Sequence, residues 1–157
     1  MSTLAKTYDQ ILNERLKKWV SVDKAQAGAQ KHRSCTEQIL TLRSLIDYFS
    51  MKKLKLYSMY VYFQKAYDKI PRKKLIECLK ERGCGKIMIQ ALQALYKGTK
   101  MLLKSVIIET CIGVRQGAPT SCLLFILYMD NLIRKLSSLP EDGPLKNLHC
   151  LLFMDDA

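Results

Sequence analysis

The chain is 157 residues long, 48% hydrophobic and strongly basic, with 26 Lys and Arg against 14 Asp and Glu and a formal net charge of +12. That length and apolar content build a real core and exclude a disordered tail. The basic surplus must lie mostly on the surface, where it attracts polyanions, nucleic acid first.

In chain order, residues 3–19 read as an amphipathic helix, with Leu4, Tyr8, Ile11, Leu12, Leu16 and Trp19 at helical spacing. The stretch "SVDKAQAGAQKHRS" breaks that period and reads as loop. "SCTE" opens a second helix with a capping box of Ser34 and Glu37, and Ile39, Leu42, Leu45, Ile46 and Phe49 mark its apolar face. Residues 56–63 are β-branched and aromatic enough for a strand. Ile70-Pro71 forces a break, because the residue before proline avoids the helical region. Helices follow over residues 72–82 and 86–97, with a turn at Gly83 to Gly85 between them. "MLLKSVIIETCIGV" reads as a hairpin or two short strands. Gly117 and Pro119 then introduce a long apolar helix carrying Leu123, Leu124, Leu127, Met129, Leu132, Ile133 and Leu136. "SSLPEDGPLKN" is a turn-rich loop, and "LHCLLFM" a buried strand ending at paired acids. Helices and strands mix without regular parallel units, which predicts an α+β fold with helices packed on a small, mostly antiparallel sheet.

The six cysteines form no CxxC pair, and two histidines are too few for a zinc finger, so the thiols are expected to be reduced and mostly buried. The polar start "MSTLAKTYDQ" carries no leader pattern, and no apolar run reaches the roughly 20 residues of a membrane span. An intracellular protein, nuclear or cytoplasmic and without a membrane partner, is expected.

Two features carry chemistry. Asp155 and Asp156 are adjacent carboxylates closing an apolar run, a pattern suited to Mg²⁺, although a solvated turn is the commoner meaning of such a pair. "GVRQGAPTSCLLFILYMDNL" places Arg115 and Gln116 at the mouth of a helix whose first amides favour anions, though a capped core helix looks the same.

The order of the motifs is more specific than either feature. "QAGAQKHRSCTEQILTLRSLID", "VYFQKAYDKIPR", "GVRQGAPTSCLLFILYMDNL" and "LLFMDDA" follow one another in a sequence that resembles the fingers and palm of LINE-type (non-LTR) retrotransposon reverse transcriptases. The resemblance covers roughly residues 10 to 157. It implies a right-hand polymerase, with residues 1–55 holding the N-terminal helices and part of the fingers and residues 56–157 a partial palm. It implies an RNA-directed DNA polymerase that uses Mg²⁺ or Mn²⁺, an RNA template, a DNA primer and dNTP. Asp155 and Asp156 resemble the family's metal-binding acids. Tyr67 resembles the aromatic gate against a 2′-hydroxyl, Arg115, Gln116 and Gly117 the nucleotide contacts, and Arg33 a phosphate contact.

The same motifs show where the chain departs from that pattern. The palm motif of the family opens on an aspartate that binds metal, and Tyr62 stands in its place. No Asp or Glu occurs from Tyr48 to Tyr67. Asp68 lies six residues on, roughly 20 Å along a strand or roughly 9 Å along a helix, whereas the two metals sit about 3.5–4 Å apart. A phenol with a reference pKa of about 10 is a poor Mg²⁺ ligand at neutral pH. In the fingers motif, Ala29 replaces an aromatic and His32 a glycine. The thumb and the rest of the palm are not among these residues. An impaired or inactive polymerase domain is therefore expected. The alternatives are a nucleic-acid-binding module that kept a basic groove and a transposon remnant without function.

Overall fold

The computed structural model describes residues 2–103, 105–138, 148 and 150–155, with the side chains of residues 101–103 left aside. Two compact units interleave along the chain, one of residues 1–21 and 65–131, the other of residues 22–64 and 132–157.

The first unit starts with α1, Thr3–Trp19, where the Ser2 hydroxyl accepts the Ala5 amide at 3.3 Å. The helix lies where its periodicity predicts, but its buried face is Asp9, Leu12, Asn13 and Leu16. Leu4, Tyr8, Ile11 and Trp19 stay exposed. Asp9 explains the rotation. Its carboxylate accepts the Thr120 amide at 3.0 Å and the Thr120 hydroxyl at 2.8 Å, at the start of α5, Ser121–Ser137. A helix N-terminus presents unpaired amides, so a buried carboxylate is stable there.

A short 3-10 turn, Tyr67–Lys69, ends at Pro71, and α3, Arg72–Glu81, follows as the proline predicts. Next come α4, Lys86–Tyr96, and an antiparallel hairpin of β1, Lys100–Leu103, with β2, Val106–Glu109, in which Lys100 faces Glu109 and Leu103 faces Val106. α4 packs against both α1 and α3. The core of this unit holds Leu16, Leu79, Leu92, Leu124, Phe125, Ile126 and Leu127. Arg82 and Asp130 form a buried ion pair within it.

In the second unit α2, Cys35–Met51, starts at Ser34, but the expected capping box does not form. The Ser34 side chain makes no capping bond, and Glu37 pairs instead with Arg33, four residues earlier. Ile39 and Ile46 of the expected apolar face are exposed, while Phe49 is buried. Residues 56–63 form no strand: the segment is irregular, with a single bridge position at Tyr62. Aromatic content favours a strand only when a neighbour accepts its backbone bonds. The "LHCLLFM" strand is likewise reduced to bridge positions at Leu152 and Phe153, and His149 lies outside the described residues. Among the described residues the only sheet is the two-stranded β1–β2 hairpin, so the described fold is mixed and helix-rich, and the expected small sheet with helices packed on it is not confirmed beyond that hairpin. No described helix is long and apolar enough to cross a membrane.

Candidate functional site

The motif residues fall into two groups, one in each unit. In the first unit, residues 67–71 and 112–116 are zipped together. The Gly113 amide donates to the Ile70 carbonyl at 2.8 Å, the Val114 amide donates to the Tyr67 carbonyl at 2.9 Å, and Pro71 bridges Ile112. Gly113 sits at φ +80°, and a Cβ there would stand 2.8 Å from the Asp68 carbonyl oxygen, so the close approach needs glycine. This zipper sets the side chains. The Gln116 amide donates to the Asp68 carboxylate at 3.0 Å, and Tyr67 stacks on Phe125 with ring centroids 4.6 Å apart. Gly117, at φ +75°, is open and exposed beside Gln116.

Arg115 takes a different direction from Gln116. Its guanidinium donates to the Leu95 carbonyl and to the Thr99 hydroxyl and lies 5.6 Å from the centre of the Tyr96 ring. Arg72 covers the same ring at 4.9 Å and donates to the carbonyls of Gly113 and Thr110. Burial raises the Tyr96 phenol above its ordinary pKa and lowers that of Arg72. The two arginines therefore brace the loop that carries Gln116 from behind.

In the second unit residues 25–38 grip the turn that leads to Asp155. Leu152 bridges Gln26 in parallel, with Leu152 donating to Ala25 and Ala27 to Leu152, each at 2.9 Å. The Gln26 side chain is buried. Its Oε1 accepts the amides of Gly28 at 2.8 Å and Met154 at 2.9 Å, and its Nε2 donates to the Met154 carbonyl at 3.1 Å. Gln38 adds donations to the carbonyls of Ala25 and Leu152. Gly28 leaves no room at this crossing, since a Cβ there would meet the Met154 amide nitrogen at 2.4 Å. Met154 itself turns at φ +60°.

Asp155 is half-buried, and Asp156 lies outside the described residues. Tyr62 is 75% exposed. Arg33 donates to the Lys24 carbonyl and pairs with Glu37, beside a cleft of about 440 Å³ that Gln38 and Cys150 also line. Among the described residues no three Asp, Glu, His or Cys side chains gather to hold a metal. Among the described donors Asp155 supplies one carboxylate there, whereas a two-metal centre needs several hard oxygen ligands. The positions of Gln26 and Gln38 at the Asp155 turn were not foreseen. The small-residue run "AGA" beside Gln26 was the available signal for close packing.

Residues 1–157 match the reverse transcriptase (RNA-dependent DNA polymerase) family over their whole length, and the chain belongs to that family. The chain is also 26% identical, over 164 aligned residues, to a retrovirus-related Pol polyprotein from the type-1 retrotransposable element R2 of Nasonia vitripennis. That alignment takes in 99% of this chain and 16% of the relative, and it agrees with the LINE-type resemblance drawn from the motifs.

Proposed function

We propose that this is a reverse transcriptase domain of retrotransposon origin, built on a fingers region at residues 1–55 and a partial palm at residues 56–157, with impaired polymerase chemistry. The observation that carries the proposal is Tyr62, an exposed phenol where the family places a metal-binding aspartate. Family chemistry uses divalent metals to activate a primer 3′-oxygen and steady the leaving pyrophosphate. With Tyr62 in the palm motif, Asp155 and Asp156 hold Mg²⁺ or Mn²⁺ weakly at best.

The remaining parts suit binding. Gln116 and Gly117 offer an exposed amide and an open backbone to an incoming nucleotide, with Arg115 behind them and Tyr67 fixed by its stack on Phe125. Arg33 reaches a template phosphate by exchanging its Glu37 partner for it. The partners are an RNA template, a DNA primer and dNTP. Primer extension on an RNA template, compared with Asp155→Ala, tests the proposal: equal and negligible extension is expected, and robust Mg²⁺-dependent extension by the wild type alone refutes it.

The net charge of +12 and the exposed Lys52, Lys53 and Lys55 favour a second reading, a module that binds nucleic acid without copying it. Its affinity for RNA is expected to fall steeply with salt as phosphate contacts release counterions.

A further inference from the structure

Within the second unit a run of exposed lysines leads directly into a run of exposed rings. α2 ends at Met51, and Lys53 at φ +54° turns the chain out of the helix, leaving Lys52, Lys53 and Lys55 on the surface. Tyr57, Tyr60 and Tyr62 follow with 85%, 77% and 75% of their surfaces exposed. The segment is irregular, and it rims an apolar cleft of about 520 Å³ whose lining includes Leu42, Leu45 and Phe63.

Three large rings in water are costly unless something covers them. A second copy of the chain adding a strand here is disfavoured, because both copies carry +12 and lysines flank the edge that would pair. A polyanion with flat apolar faces has the complementary chemistry. Lysines neutralise phosphates, and tyrosines stack on unpaired bases regardless of sequence, because every base presents a π-face.

We propose that residues 52–62 form a platform for single-stranded nucleic acid, with Lys52, Lys53 and Lys55 on phosphates and Tyr57, Tyr60 and Tyr62 on bases. The proposal rests on the nucleic-acid-binding reading above and makes it specific. It also gives Tyr62 a use: a side chain unsuited to a metal is well suited to a base.

The test is fluorescence anisotropy of the full chain with a short labelled RNA strand, the same strand in DNA, the duplex, and an abasic strand that keeps the phosphates. The wild type is expected to prefer both single strands, and loss of the bases to weaken binding about tenfold or more. The Tyr57→Leu, Tyr60→Leu, Tyr62→Leu triple variant is expected to lose about tenfold or more on RNA and DNA strands and little on the abasic one. Changing Lys52, Lys53 and Lys55 to Gln lowers the salt slope by about 2. Circular dichroism reports whether the triple variant stays folded, and Tyr57→Leu alone carries the test if it does not. A wild type that binds while the Tyr57→Leu and triple variants bind equally well overturns the platform and leaves the broader reading standing. No binding at low salt overturns both. A dimer dissolved by these substitutions with RNA affinity unchanged makes the face a pairing edge and overturns the platform.

Discussion

Replacing Gln26 by leucine removes the latch on the Asp155 turn while keeping a side chain of similar bulk. The wild-type amide makes three bonds, accepting from Gly28 and Met154 and donating to Met154. Gly28 is buried, so its abandoned amide costs about 1–3 kcal/mol; Met154 is half-buried, and water replaces part of its loss. The expected destabilisation is about 2–3 kcal/mol, which corresponds to roughly 30-fold or more in a local opening equilibrium. Gly28→Ala attacks the same turn by crowding, at about 1–3 kcal/mol, so the double variant should lose less than the sum. Urea denaturation gives the stability change, and native-state hydrogen exchange at the Gly28 and Met154 amides shows where it acts. A Gln26→Leu protein within about 0.5 kcal/mol of wild type, with unchanged exchange at both amides, refutes the latch.

Three further predictions follow from particular residues. His32 sits at φ +62°, where the fingers pattern expects glycine, so His32→Gly should stabilise the protein by about 0.5–1 kcal/mol in thermal or urea denaturation. Burial pushes the Cys150 thiol up to about 11, with the Asp23 charge adding to it, and burial also raises Cys78 and Cys84. The unfolded chain therefore loses these protons first, and stability should fall as pH rises from about 9 towards 11; a flat profile across that window contradicts the burial of these thiols. Asp9→Ala leaves the buried Thr120 amide without its carboxylate and should cost about 2–3 kcal/mol in the same denaturation assay.

Local signals located the helices well. Periodicity and punctuation placed α1, and Ile70-Pro71 placed the start of α3. They did less well wherever a distant partner decides the outcome. The buried face of α1 is set by Asp9 reaching Thr120, 111 residues away in sequence, and Gln26 meets Met154 across 128 residues. A polar side chain that becomes buried looks like any loop residue until its partner is known. Residues 56–63 carry strand composition without a described strand beside them, so propensity alone misread them. The family was legible in a different way, from the order of the motifs along the chain. Asp68 accepts a bond from Gln116, a contact between residues 48 apart that the local sequence could not show.

The central claim concerns the palm motif, and one measurement addresses it most directly. Mg²⁺-dependent extension of a DNA primer on an RNA template is measured for the wild type and for Asp155→Ala side by side. Indistinguishable, negligible extension is the predicted result, with RNA binding retained. Extension by the wild type that Asp155→Ala abolishes would contradict the account, because it would show a working metal centre despite Tyr62.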